Sequence, residues 1–258
     1  MDLEYKILSG KGNIAIVIPV YKKELSHREK ISLIQGCKVL GNYDIILVAP
    51  LSLDLSNYFS IAGNTAFKIE RFSSEYFKGI KGYNRLLLGS DFYKRFLSYE
   101  YMLIYQLDAF VFDNSLIDWC KRDFDYIGAP FMDPEWIKKL ERKLHFPVGK
   151  WINRVGNGGL SLRRVSKFYI GARLLFPLAY LWKYNEDFFW TSVAARILPS
   201  FKIPDFSTAL QFAFEERPSA AFRMNNFNLP FGVHAWEKYE PDFWKSHFQK
   251  YGYLIDEK

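Results

Sequence analysis

The chain of 258 residues is long enough for one sizeable α/β domain or two small ones, and its 49% hydrophobic content argues against disorder. A net charge of +7, from 35 basic against 28 acidic residues, fits anionic ligands or an anionic membrane surface without choosing between them. Two cysteines, Cys37 and Cys120, with no CxxC and no Cys/His cluster, count against a structural zinc site or a disulfide scaffold and make a reducing compartment the default. The 19% aromatic share exceeds what a core needs. It points either to surfaces that stack on sugars or bases, or only to a codon bias toward Phe and Tyr.

The N-terminus carries early acids and Pro19 interrupts its apolar stretch, so no signal peptide is expected. No run approaches the roughly 18 apolar residues of a spanning helix. The nearest, Phe168–Trp182, is interrupted by Arg173 and Pro177, so a soluble or peripheral protein is expected.

In chain order, "NIAIVIPVY" (Asn13–Tyr21) is a β-branched run that reads as a buried parallel strand. The helical spacing of Ile31, Leu33, Ile34, Cys37 and Leu40 predicts a helix that stops at Gly41-Asn42. "YDIILVAP" (Tyr43–Pro50) is the second buried strand, which makes a β-α-β opening of nucleotide-binding type. Phe67–Ser73 is a third strand, Gly82–Ser98 a helix, and "EYMLIYQLDAFVF" (Glu100–Phe112) the next central strand. Asp125–Phe131 is a short strand, and Pro134–Phe146 a basic amphipathic segment. "VGNGGLSLRRVSKF" passes from a Gly-rich turn through a short strand into a helix. Asn185–Leu198 is a helix with an Asn cap and acids in its first turn; "STALQFAFE" is a further helix, and Leu229–Tyr239 a late loop. There is no repeat and no linker, so one domain is expected.

A ligand of such a sheet sits at the carboxyl ends of its strands. Neither GxGxxG after the first strand nor GxxxxGK[ST] is present, so a diphosphate here would be neutralised by a metal and basic side chains. Asp108 stands at the end of a buried strand, where a hard cation bridging two phosphates would be held by oxygen ligands, Mn²⁺ or Mg²⁺. Alone, the same acid also reads as a turn residue.

With these features the chain resembles the GT-A fold of nucleotide-sugar glycosyltransferases, whose Asp-x-Asp motif lies at such a strand end. The resemblance spans roughly Asn13 to Trp244 in consistent order, and within the GT-A clan it points to an uncharacterised bacterial family associated with surface-polysaccharide genes such as those for capsule and lipopolysaccharide. It implies a single α/β GT-A domain with a mixed, mostly parallel central sheet flanked by helices. The nucleotide-binding half would cover about 13–113 and the acceptor-binding half about 125–245. Of the two possible registers of the motif, the preferred one puts Gln106 in place of the first acid, as a neutral hydrogen-bond partner of the donor's ribose or sugar, and keeps Asp108 as metal ligand.

By the same resemblance Pro19, Val20 and Tyr21 would touch the nucleotide, and Lys81, Tyr83, Asn84 and Arg85 would close over base and diphosphate, although each of these four also reads as part of a solvated helix start. Asn157, Gly158 and Gly159 in "VGNGGLSLRR", similar to the family's "GG(F/L)SLR" segment, would floor the donor pocket. "NEDFFW" resembles the helix start that supplies the catalytic base of inverting enzymes, with Asp187 as base and Glu186 as acceptor-binding or structural. His234 would return to the metal beside Asp108, and Trp236 and Trp190 would bind the acceptor, although Trp236 also reads as a ring that seals the core.

The implied reaction moves a sugar from a nucleoside diphosphate donor, UDP-linked, to a glycan or lipid-linked acceptor with metal assistance; an acid at Asp187 fits inversion, and a retaining enzyme is also compatible with the sequence. The expected location is the cytoplasm, at the inner face of the membrane, since Trp136, Ile137, Leu140 and Leu144 give the basic segment an apolar stripe. That segment also reads as a lid or an ordinary surface helix. A sugar-phosphate nucleotidyltransferase is the first alternative, opposed by the missing glycine after "PVYKK"; a non-catalytic carbohydrate-binding protein is the second. Nucleic-acid binding is disfavoured because the basic residues are scattered among acids.

Overall fold

The computed structural model describes residues 13–132, 139, 141–143, 145 and 155–255. The segment expected to be basic and amphipathic (134–146), with its stripe of Trp136, Ile137, Leu140 and Leu144, lies outside the described residues apart from 139, 141–143 and 145, as do residues 1–12.

The first strand, β1 (Ile14–Pro19), is β-branched and buried on both faces, as an interior parallel strand must be. Helix α1 (His27–Leu40) begins with a capping box in which the Glu29 N–H donates to the Ser26 hydroxyl and the Ser26 N–H donates to the Glu29 carboxylate. It returns the chain to β2 (Asp44–Pro50), parallel to β1; α2 (Ser56–Ala62) then leads to β3 (Phe67–Phe72), parallel to β2. The expected helix over 82–98 begins three residues earlier and is broken in two at Gly89, giving α3 (Gly79–Leu88) and α4 (Ser90–Lys94).

The stretch expected as one strand from Glu100 to Phe112 is two strands in two sheets. β4 (Tyr101–Tyr105) pairs parallel with β1, whereas β5 (Phe110–Val111) leaves for a second sheet after a turn that holds Gln106 and Asp108. After α5 (Leu116–Lys121) come β6 (Tyr126–Gly128) and β7 (Leu160–Arg164). The main sheet has the order β3-β2-β1-β4-β7-β6, and only β7 runs against the rest.

The chain continues through α6 (Val165–Leu174), α7 (Phe176–Leu181) and α8 (Glu186–Phe188), the last of which runs on through a π-helical turn at Phe189–Ala194. Asn185 precedes α8 without capping it through its side chain; the Glu186 N–H donates instead to the Asn84 side-chain amide oxygen Oδ1, 3.3 Å away on α3. The expected helix "STALQFAFE" is only half helix: α9 (Phe206–Phe212) gives way to β8 (Ala213–Phe214). After α10 (Pro218–Met224), the expected late loop contains β9 (Gly232–Val233), and α11 (Pro241–Gln249) follows it. The second sheet has the order β5-β9-β8. Strands of two residues carry almost no periodicity, which is why the sequence reads β8 and β9 as helix end and loop.

The alternation of β1 separates two apolar layers. Ile16 packs with Leu33, Leu47 and Leu103 on the α1 side, and Val17 with Phe92, Phe168 and Trp190 on the other. A third cluster seals the small sheet, with Phe110 stacked on Phe248 of α11 at a centroid distance of 4.1 Å. No helix among the described residues is long and apolar enough to cross a membrane. Because α11 closes the small sheet from outside, Phe248→Ala is expected to destabilise the protein by about 3–5 kcal/mol in urea unfolding.

Candidate active site

Parallel β1 and β4 end on the same edge of the main sheet, and antiparallel β7 begins there, with Tyr105 opposite Leu160. The Gly-rich turn before β7 therefore meets the turn after β4, and the Gln106 N–H donates to the Gly159 carbonyl at 3.0 Å. The small sheet adds its own end. Asp108 precedes β5, His234 follows β9 and Glu215 follows β8, and the pairing directions bring all three positions to one end of that sheet. Together these ends floor a cleft of about 1170 Å³, ample for a ligand of nucleotide-sugar size.

On one side of the floor, His234 Nε2 lies 3.1 Å from an Asp108 carboxylate oxygen and 3.2 Å from the Gln106 amide oxygen. Its Nδ1 lies 2.9 Å from Glu215 Oε2, an ion-pair distance, although these two buried atoms are not aligned for a hydrogen bond. Burial opposes a proton on the ring, but the carboxylates of Glu215 and Asp108 outweigh it and raise the His234 pKa well above its ordinary value. Burial likewise works against the Asp108 charge, and His234 overcomes it, leaving that carboxyl below its usual range.

On the other side, Asp187 accepts from the Phe188 N–H at 2.6 Å and the Gly158 N–H at 3.3 Å. Burial, joined by the negative charge of Glu186, pushes its pKa up to about 7. Its neighbour has a different fate. Glu186 forms a two-pronged ion pair with Arg163 (2.8 and 3.1 Å), and the fully buried guanidinium is held further by the Tyr93 and Ser161 hydroxyls. Glu186 borders the cleft, but its carboxylate is committed to the core.

Two glycines separate these halves. A Cβ on Gly158 would stand 2.7 Å from a Glu186 carboxylate oxygen, and one on Gly159 would fall on the His234 ring. The turn is fixed from beneath, where the Tyr126 hydroxyl donates to the Gly156 carbonyl and the Asn157 N–H donates to the Ala129 carbonyl.

Residues 66–234 match the family described as "Protein of unknown function (DUF5672)". The chain belongs to that family. No curated protein matches the sequence. Among solved structures it is similar to the galactosyltransferase LgtC in complex with donor and acceptor sugar analogues, at 13% identity and a TM-score of 0.56, over 95% of this chain and 97% of that one. It is also similar to the apo form of mouse xyloside xylosyltransferase 1, at 9% identity and a TM-score of 0.52, over 86% of this chain and 97% of that one. At such identities the likeness is one of fold, and the fold is GT-A.

Most of the residues expected from sequence line this member's cleft: Pro19, Val20, Tyr21, Tyr83, Asn84, Gln106, Asp108, Asn157, Gly158, Gly159, Glu186, Asp187 and His234. Four do not. Lys81 and Arg85 lie one turn apart on the exposed face of α3, outside the cleft lining. Trp190 and Trp236 cannot stack on an acceptor, because both rings are completely buried. Trp190 packs on Phe168, and Trp236 packs on Phe248 with its N–H toward the Ser32 hydroxyl. Sequence reasoning missed Glu215, whose signal was present in "FAFEE", an acid closing a short aromatic run as Asp108 closes its own. Glu216, Glu237, Lys238, Lys183 and Tyr184 also line the cleft without having been anticipated.

Among the described residues no three His, Cys, Asp or Glu side chains form a ready-made metal cluster. The donor set present, an imidazole nitrogen with a carboxylate and an amide oxygen at 3.1 and 3.2 Å, still fits Mn²⁺ or Mg²⁺, which take a few protein ligands and complete their shell with phosphate and water. Glu215 stands where a carboxylate fixes the far nitrogen of a metal-binding histidine. Arg163→Met would leave the Glu186 charge buried and uncompensated, and a loss of about 3–5 kcal/mol in denaturant unfolding is expected.

Proposed function

We propose that this protein is a glycosyltransferase that moves a sugar from a nucleoside diphosphate donor, UDP-linked, to a hydroxyl of a glycan or lipid-linked glycan, with inversion, in bacterial surface-polysaccharide synthesis. The observation that carries the reading is the pairing, across two glycines, of a carboxylate poised near neutrality with a His–Asp–Gln cluster. The shared fold with a galactosyltransferase bound to sugar analogues supports it.

In this reading Asp187 takes the proton of the acceptor hydroxyl as its oxygen attacks the anomeric carbon, and the bond from that carbon to the diphosphate breaks. Asp108, His234 and Gln106 would hold a divalent cation, which when bound neutralises charge on the departing diphosphate. The buried Tyr83 hydroxyl, which has no aligned hydrogen-bond partner among the described residues, would serve donor recognition, with Asn84, Asn157 and the residues at the end of β1. The two halves of the chain, about 13–113 and 125–245, divide donor from acceptor duties.

The deciding test measures nucleoside diphosphate release from a panel of nucleotide sugars with and without Mn²⁺. Release that disappears in Asp108→Ala supports transfer. Pyrophosphate release from a nucleoside triphosphate and a sugar phosphate, or binding without turnover, overturns it. Calorimetric titration of Mn²⁺ with UDP should show affinity reduced by roughly 10–100-fold in Glu215→Gln, as for other partners of metal-binding histidines.

Asp187 must be ionised to act as base, so kcat/KM should rise through a midpoint near pH 7. Asp187→Asn should lower kcat by roughly 10²–10⁴-fold. The same group has a folded pKa above its unfolded value, so its ionisation disfavours folding as pH rises from about 4 to about 7. Asp187→Asn is therefore expected to raise Tm at pH 8 and to leave it nearly unchanged at pH 4.

A further inference from the structure

The run that came closest to a spanning helix, Phe168–Trp182, has no role in the cleft chemistry. It forms α6 and α7, and from Val165 to Asn185 it contains no carboxylate, only Lys167, Arg173 and Lys183 as charged groups. Helix α6 has an inner face, since Val165, Phe168, Gly171 and Ala172 are buried. Helix α7 has almost none, because only Ala179 is buried while Phe176, Leu178, Tyr180 and Leu181 are exposed, the last two by 77% and 72%. Leu174 and Ile170, one turn apart on α6, are exposed as well.

This apolar surface borders the cleft. Helix α7 packs beside α3, whose first turn carries Ile80, 73% exposed and part of the cleft lining. Lys183 and Tyr184, immediately after α7, line the cleft too. Exposed Leu and Phe, interfacial Tyr and Trp, and flanking Lys and Arg without acids make up the composition of a segment that lies in a bilayer interface. Single exposed apolar residues need no explanation, but a contiguous helical face of them does.

We infer that the α6–α7 hairpin docks the protein on an anionic membrane surface, with the cleft mouth beside the lipid headgroups. Charge complementarity decides the occupant. A symmetric contact between two copies through this face would bring together two surfaces that each carry Lys167, Arg173 and Lys183 and no carboxylate, whereas anionic headgroups neutralise these charges. The surface is distinct from the basic segment that sequence alone suggested for membrane contact.

The test is co-sedimentation of the full chain with vesicles of phosphatidylcholine, with and without phosphatidylglycerol, in the absence of any sugar donor. Its failure would thus leave the transfer reading untouched. The chain should bind the anionic vesicles, and added salt should weaken binding. Phe176→Ser combined with Leu181→Ser should reduce the partition by about ten-fold or more, and Arg173→Glu by a similar factor. These side chains are exposed, so circular dichroism and Tm of the variants should match the parent protein. Equal binding to neutral vesicles would overturn the inference, as would variants that bind like the parent. Self-association in sedimentation velocity that Phe176→Ser with Leu181→Ser abolishes, without vesicle binding, would assign the face to a second copy and overturn it as well.

Discussion

The close approach of backbone to side chain at Gly158 and Gly159 is the constraint on which the site depends. These glycines enter β7 at the edge where β4 leaves, and the Gly159 carbonyl accepts from Gln106, fixing the turn that carries Asp108. One glycine leaves room for Glu186 and Asp187, the other for the His234 ring. A methyl group on Gly159 would push out the residue that joins the small sheet to the Asp108 turn. The Asp187 side and the His234–Asp108 side of the cleft are thus separated by bare backbone, and any larger side chain would force them apart.

Two adjacent acids on one helical turn illustrate how environment assigns roles. Glu186 meets the Arg163 guanidinium inside the core, and Asp187, next to that fixed negative charge, is left with backbone N–H groups and an opening to the cleft. The result is one carboxylate locked in an ion pair and another pushed toward neutral pH. The protein carries net positive charge, yet Asp108, Asp187, Glu215, Glu216 and Glu237 all face this cleft. In the reading proposed above, this concentration of acids would suit a cation and a hydroxyl-bearing ligand, while Lys22, Lys183 and Lys238 in the same lining would offer charge to phosphate.

Long elements were legible because periodicity and burial reinforce one another over many residues. β1, α1, β2 and β3 lie where their patterns put them, and "GNGGLSLRR" forms the turn and strand that its composition implies. Two-residue strands have no such redundancy. "QLDAFVF" reads as the continuation of β4, although the chain turns at Asp108 and joins another sheet. Trp190 and Trp236 show the matching difficulty for side chains, since an aromatic ring next to a functional residue in sequence can point the opposite way, into the core.

By itself the sequence determined the parallel α/β frame, the sheet edge at which the cleft opens, and most residues that line it, because local pattern and strand polarity suffice for these. Only the tertiary structure decided which acids are chemically available. Arg163 reaches Glu186 across 23 positions, and Glu215 meets His234 through a strand pair that no local pattern announces. Such contacts are set by the packing of distant segments, and burial and charge then fix each group's proton affinity, so neither can be read from a residue and its neighbours in the chain.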